Sequence, residues 1–192
     1  EAYSLGSRAI SFSGGGEPLT HPQFSQIITF ASNIGYDIGI VTNGALINKE
    51  KTKSISNSVD WIRFSIGGPT HESYAKIQGK NDLSKVLSNV KNLSSYNSSD
   101  SNTLDIGLKL LIDKPTFLDL PKFANILSSH SISSEEVSYV QLVPNQYLED
   151  PGVFINDTQT VNAINHLKIN LEQLSIPLLG SYFSVDPADR DL

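Results

Sequence analysis

Two apolar periodicities take turns along this chain. Short blocks rich in β-branched and aromatic residues read as strands: "AISFS" at 9–13, "YDIGIVTNG" at 36–44, "WIRFSIGG" at 61–68, "LDIGLKLLID" at 104–113 and "VSYVQLVPN" at 137–145. Between them apolar residues recur every three or four positions, as on one face of a helix. The pattern predicts helices over about Pro22–Ile34 (Ile27, Ile28, Phe30, Ala31), Lys49–Ser56, Leu83–Leu93 (Val86, Leu87, Val90, Leu93), 118–129 and Thr158–Leu174 (Val161, Ile164, Leu167, Leu171). Gly35 stands where a helix C-terminal glycine belongs, and Thr70 reads as the N-cap of "HESYAKI". The polar stretch "YNSSDSNT" at 96–103 reads as a surface loop, and "IPLLGSYFSV" at 176–185 as a sixth strand.

Strands separated by helices imply right-handed parallel βαβ units, hence an α/β fold. Because the strands look apolar almost throughout, a sheet covered on both faces is expected. Two architectures satisfy the pattern: part of a (βα) barrel of parallel strands, or a doubly wound open parallel sheet. Both place ligands at the carboxyl ends of the strands, where this sequence keeps its unusual residues. Gly14–Glu17 follow the first strand, Thr42-Asn43-Gly44 the second, and Ser65–Gly68 end the third. Lys109–Asp113 lie on the fourth, and Gln141–Asn145 end the fifth.

"SGGGEPLTHP" is the most demanding of these stretches. Three consecutive glycines lose more conformational freedom on folding than any other triplet, so something must come close to the backbone there. Read alone, the glycines also suit a phosphate-binding turn before a helix, and Glu17 suits a first-turn acid facing the helix dipole. Asn43-Gly44 is equally a plain turn, Ser65 a core hydroxyl, and Lys109 a snorkelling edge residue.

Bulk composition narrows the classes. With 192 residues, 39% hydrophobic and 18% charged, the chain suits one soluble domain, or most of a larger one. A net charge of −6 argues against general nucleic-acid or anionic-membrane binding. No apolar run approaches the roughly 18 residues a bilayer span needs, so a cytoplasmic location is expected. There is no cysteine and no methionine, even at position 1. No thiolate nucleophile or cysteine-ligated metal can be built from these residues. His21, His71, His130 and His166 show no spacing that suggests a metal site.

In its order of strand ends the chain resembles the radical S-adenosylmethionine (SAM) enzymes. "SGGGEPLTHP", "IGIVTNGALI", "WIRFSIGGPTHESYAKIQG", "LKLLIDK" and "VSYVQLVPN" are similar to the second through sixth strands of that family's partial (βα)6 TIM-like barrel of parallel strands. The resemblance implies a domain over 1–175 lacking the barrel's first strand and cluster loop, with 176–192 as final strand and linker toward a C-terminal extension. It implies that Gly15, Gly16 and Glu17 hold the cofactor's methionyl amino group, an ammonium with three donors and no acceptor. Ser65 would meet the ribose or carboxylate, and Thr42 and Asn43 would line the same pocket. Lys109 would meet the cofactor carboxylate or the substrate, and the backbone at Val143 the adenine edge. Gln141, Asn145 and Gln146 are further candidates to face a substrate.

Two departures accompany the likeness. The family's three-cysteine segment, which holds a [4Fe–4S] cluster, is absent, and its ligands are expected upstream of Glu1. An aspartate common after the third-strand serine is replaced by Gly67-Gly68. The activity implied is reductive cleavage of SAM at the cluster to a 5′-deoxyadenosyl radical. That radical abstracts hydrogen from a peptide or small-molecule substrate, with flavodoxin or ferredoxin as electron donor. A rival is a cofactor-free or catalytically dead α/β module that binds a nucleotide or phosphorylated ligand at the glycine-rich strand end.

Overall fold

The computed structural model describes residues 1–97, 104–144 and 157–180. Six parallel strands form one sheet: β1 (Ala9–Phe12), β2 (Asp37–Thr42), β3 (Trp61–Ile66), β4 (Asp105–Ile112), β5 (Tyr139–Pro144) and β6 (Leu178–Leu179). They lie in the order β1-β2-β3-β4-β5-β6. The strand order never reverses, so right-handed crossovers carry every connecting helix to the same face. That excludes the doubly wound alternative, whose sheet reverses direction at a switch point. The fold is the open, partial (βα) barrel.

The expectation of strands buried on both faces is corrected. Burial alternates along β3, where Ile62, Phe64 and Ile66 are buried and Trp61, Arg63 and Ser65 half-buried. β4 and β5 repeat this at Leu108/Lys109/Leu110 and Val140/Gln141/Leu142. Among the described residues, only the outer face packs under helices. The inner face is polar and aromatic. Gly39 and Gly107 leave it flat where rings cross. A Cβ on Gly39 would stand 1.9 Å from the Trp61 ring, and one on Gly107 2.4 Å from the Tyr139 ring. Each glycine pairs in register with the residue whose ring it admits.

Among the described residues the helices are α1 (Phe24–Ile34), α2 (Lys49–Ser58), α3 (His71–Gln78), α4 (Leu83–Asn97), α5 (Phe123–Ser129) and α6 (Thr158–Glu172). Val86, Leu87, Val90 and Leu93 of α4 are fully buried, as their spacing predicts. Ile164, Leu167 and Leu171 of α6 are buried too, while Val161 is half-exposed. On α1 the buried stripe is Phe24, Ile28 and Ala31; Ile27 and Phe30 face outward, Phe30 at 68% exposure. α1 ends at Gly35 in the left-handed region, φ 101°. The helix expected over 118–129 is split: a 3₁₀ turn spans Phe117–Lys122 and α5 starts after it. Pro121 has no N–H to donate, which suits a short turn and not a helix interior.

α3 explains the two glycines after Ile66. Thr70 caps it, accepting from Ser73 N, while Ser73 Oγ accepts from Thr70 N. This folds the helix start back onto the strand end so tightly that a Cβ on Gly68 would lie 2.6 Å from the Ser73 carbonyl carbon. Backbone atoms cannot swing aside. Gly68→Ala is therefore expected to lose about 2 kcal/mol of stability, read as a lower urea midpoint at unchanged slope.

Of the expected loop at 96–103, residues 98–103 lie outside the described residues, as do 181–192 of the expected final strand and linker. Among the described residues no helix is long and apolar enough to cross a membrane.

Candidate functional site

Beyond β1 the chain turns through Gly14, at φ +140°, Gly15 and Gly16 into Glu17. Glu17 then caps a 3₁₀ turn, Pro18–Thr20, which is anchored by buried Leu19. The glycines therefore do not lead directly into α1. Glu17 and that turn stand between them.

The Glu17 carboxylate is committed to its neighbours. Its Oε1 accepts from Leu19 N at 3.1 Å and from Thr42 Oγ1 at 2.6 Å, and its Oε2 from Asn43 N at 2.8 Å. A carboxylate offers about four acceptor directions, so one remains, on Oε2. Thr42, 2% exposed, also accepts from Gly44 N at 3.0 Å, and Asn43 Oδ1 accepts from Ala45 N at 2.9 Å. Asn89 of α4 donates to the Gly44 carbonyl at 2.8 Å. A Cβ on Gly44 would sit 2.5 Å from the Phe64 ring, so the turn packs directly on the core. The ends of β1 and β2 are thus locked together through one carboxylate.

Gly14–Gly16 show the opposite. A Cβ built on any of the three meets nothing within 4 Å. Their peptide groups make no hydrogen bond to another described residue. Packing therefore gives no reason for glycine here. Amides and carbonyls without a described partner, open space and an adjacent carboxylate form a cradle that can receive a polar group from outside the chain. The cradle opens into a hollow of about 240 Å³ lined by Gly14, Gly15, Gly16, Glu17, Val41, Thr42, Asn43 and Ser65. Behind Glu17 and Asn43 lies a second hollow of about 260 Å³, where Tyr74, Gln78, Lys80 and Asp82 contribute. Burial raises the Tyr74 phenol above its ordinary value, and the Asp82 charge adds to the effect.

Six of the eight sequence-predicted residues thus meet in one hollow: Gly15, Gly16, Glu17, Thr42, Asn43 and Ser65. Lys109 stands beside Ser65 in register on β4, half-buried, and its ammonium bonds to no described residue. Gln141 follows it on β5. Val143 lies farther along β5, paired with Leu111, and does not line the hollow. Asn145 and Gln146 lie outside the described residues. Among the described residues no group of three or more acidic or histidine side chains gathers as for a metal ion. His71 and His130 approach to 6.3 Å between rings and line neither hollow.

Arg63 joins the inner face without having stood out in the sequence. Its Nε donates to Tyr139 Oη at 2.7 Å, and its guanidinium lies 4.7 Å over the Trp61 ring and 5.9 Å from the Tyr139 ring. The signal was present in the spacing of Trp61, Arg63 and Ser65, which period-two alternation places on one face.

Residues 1–113 match the radical SAM superfamily. The chain belongs to that superfamily. The matched span runs from β1 to the end of β4, so it includes the glycine cradle, Glu17, the β2 turn, Ser65 and Lys109. Val143 lies beyond it. Among curated relatives, the tungsten-containing aldehyde ferredoxin oxidoreductase cofactor-modifying protein of Pyrococcus furiosus is 28% identical over 182 residues, 93% of this chain and 49% of that protein. The S-adenosylmethionine-dependent nucleotide dehydratase of Lacinutrix mariniflava is 28% identical over 198 residues, 97% of this chain and 40% of that one. This chain spans about half the length of the curated relatives it matches.

Solved radical SAM folds superpose on it. A domain of pyruvate-formate lyase-activating enzyme from Bacteroides vulgatus gives a TM-score of 0.64 at 14% identity, covering 91% of this chain and 99% of that one. Streptococcus suis SuiB bound to SAM gives 0.63 at 11% identity, covering 95% and 41%. At such identities these likenesses speak to the fold. The superfamily implies SAM and a [4Fe–4S] cluster. The cradle fits the aminoacyl end of SAM, but the 192 residues include no cysteine to ligate a cluster.

Proposed function

We propose that this chain is the SAM-binding barrel of a radical SAM enzyme acting on a peptide or small-molecule substrate. The observation that carries the reading is the Gly14–Gly16 cradle, open at every Cβ and unbonded, set against a carboxylate already fixed in place. An ammonium needs acceptors alone. Backbone carbonyls at Gly15 and Gly16 and the remaining Oε2 direction of Glu17 meet that need at low reorganisation cost. Thr42 and Asn43 act one step back, by holding Glu17. Ser65 takes the ribose or the carboxylate, Lys109 the carboxylate or the substrate, and the backbone at Val143 the adenine edge.

When bound with a reduced cluster, SAM supplies reductive sulfonium cleavage and hydrogen abstraction from the substrate. This chain's residues bind, orient and shield. In this reading the cluster ligands lie upstream of Glu1, residues 1–175 are the barrel, and 176–192 lead toward a C-terminal extension. Flavodoxin or ferredoxin supplies the electron, in the cytoplasm, where thiolates stay reduced. A peptide substrate is supported by neighbours solved with peptides, SuiB with its precursor SuiA and anSMEcpe with Kp18Cys. A small molecule is supported by relatives described as "Probable GTP 3′,8-cyclase".

The phosphate-binding rival is disfavoured by the same geometry. A phosphate turn needs glycines that run straight into a helix N-terminus. Here Glu17 and a proline-led 3₁₀ turn intervene, and the carboxylate repels an anion.

The test is calorimetric titration of the anaerobically reconstituted full-length protein with SAM, followed by assay for 5′-deoxyadenosine under strong reductant. Saturable binding with product formation is expected. Absence of SAM binding by the folded protein overturns the reading.

A further inference from the structure

Arg63 has no part in the cofactor reading, yet it is held with unusual care. It sits one inner-face position below Ser65, roughly 6.6 Å along β3 at two strand rises, and pairs in register with Val41, which lines the hollow. Its other register partner is Gly107, and beyond that glycine lies Tyr139. The missing side chain at 107 admits the Tyr139 ring, and the Arg63 Nε reaches Tyr139 Oη at 2.7 Å. The guanidinium plane is held 4.7 Å over Trp61. The fork is thereby oriented while its remaining four N–H groups bond to no described residue.

No described acid pairs with Arg63, and the Glu17 carboxylate in the hollow above is taken up by Leu19, Thr42 and Asn43. Lys109, a diagonal neighbour on β4, is a second cation without a described partner. The acids that register places on this face, Asp37 and Asp105, are exposed at the far ends of their strands, and neither pairs with Arg63. Two cations without a described partner thus face inward in a chain whose net charge is −6.

A planar guanidinium fixed by an aromatic and a phenol, with a donor edge that bonds to no described residue, is built to receive two oxygens of one anionic group. We propose that Arg63 is a substrate-binding residue that grips an oxyanion, a carboxylate or a phosphate, on the substrate of this enzyme. The proposal rests on the reading of the hollow as the SAM site and adds to it the class of substrate. An anion gripped at Arg63 leaves the rest of the substrate pointing up the barrel toward Ser65 and the cradle. Substrate and cofactor then meet across one strand row.

Trp61 is the only tryptophan among the 192 residues, and the fork lies on its ring, so its emission reports occupancy. The experiment is fluorescence titration of the full-length protein with sodium phosphate and, separately, sodium acetate, at ionic strength held constant with chloride. Trp61→Phe identifies the part of the signal due to this ring. One or both probes are expected to give a saturable change, with a dissociation constant at least tenfold weaker in Arg63→Gln. The surface substitution Lys85→Gln should leave it unchanged. Preference for phosphate marks a phosphorylated substrate, and preference for acetate a carboxylate-bearing one.

No saturable change with either probe overturns the proposal, and so does an unaltered constant in folded Arg63→Gln. Where that variant does not fold, Arg63→Lys and Tyr139→Phe replace it. The first loses the fork and the second the Nε anchor, so each should bind severalfold more weakly. Unaltered constants in both also overturn the proposal. The titration needs neither cluster nor SAM, so its failure is distinguishable from failure of SAM binding.

Discussion

Glu17→Gln should weaken SAM binding by about one to two orders of magnitude and lower stability by about 2 kcal/mol, although it changes only one atom and one charge. The reason lies in the three donors around the carboxylate. Leu19 N and Thr42 Oγ1 both point at Oε1, and Asn43 N points at Oε2. A glutamine amide satisfies the first two only by setting its NH₂ against the Asn43 N–H, leaving a donor facing a donor. An unmet, partly buried donor costs roughly 1–3 kcal/mol. The charge that complements the ammonium vanishes at the same time, and each 1.4 kcal/mol lost is about tenfold in affinity. Glu17→Asp keeps the charge, but its shorter arm does not span from Leu19 to Asn43, so it should fall between the two. Urea midpoints and SAM titrations on the same samples check both effects. Wild-type affinity in Glu17→Gln would mean that the carboxylate only braces the β2 turn.

What was legible in the sequence was set by local pattern. Strand blocks such as "WIRFSI" and helix stripes such as Val86-Leu87-Val90-Leu93 depend on residues near in sequence, and both formed where expected. The strand ends brought six residues into one hollow because a parallel sheet delivers all its carboxyl ends to the same side. What was not legible depended on partners far away. The Glu17 bonds to Thr42 and Asn43 bridge 25 and 26 positions, and Arg63 finds Tyr139 across 76. The inner face was misread because Gly39, Gly107 and Leu111 look like continuations of an apolar strand. Two of them are notches for rings supplied by other strands. Ile27 and Phe30 misled in the other direction, since helical spacing alone does not say which stripe meets the core.

Gly16→Val should fold as well as the parent and bind SAM at least a hundredfold more weakly. Most buried-site glycines cannot separate these effects, because the side chain that blocks a ligand also strains the fold. Gly68 and Gly44 are of that kind, with backbone or a core ring under 3 Å from a built Cβ. Gly15 and Gly16 are not. Their Cβ positions meet nothing within 4 Å, and neither has a positive φ that would strain an L residue. Losing a glycine at an unstrained position restricts the unfolded chain and stabilises by roughly 0.4–1 kcal/mol, so the melting temperature should hold or rise slightly. Any ligand that uses the cradle, however, meets branched methyl groups where it expected bare backbone. A hundredfold loss is about 2.7 kcal/mol, what one or two displaced charge-assisted hydrogen bonds supply. Gly14→Val serves as the contrast, because φ +140° strains any side chain, and it should lose stability as well as binding. Unchanged SAM affinity in a well-folded Gly16→Val would place the cofactor elsewhere. Lost affinity with intact stability ties the glycines to the ligand alone.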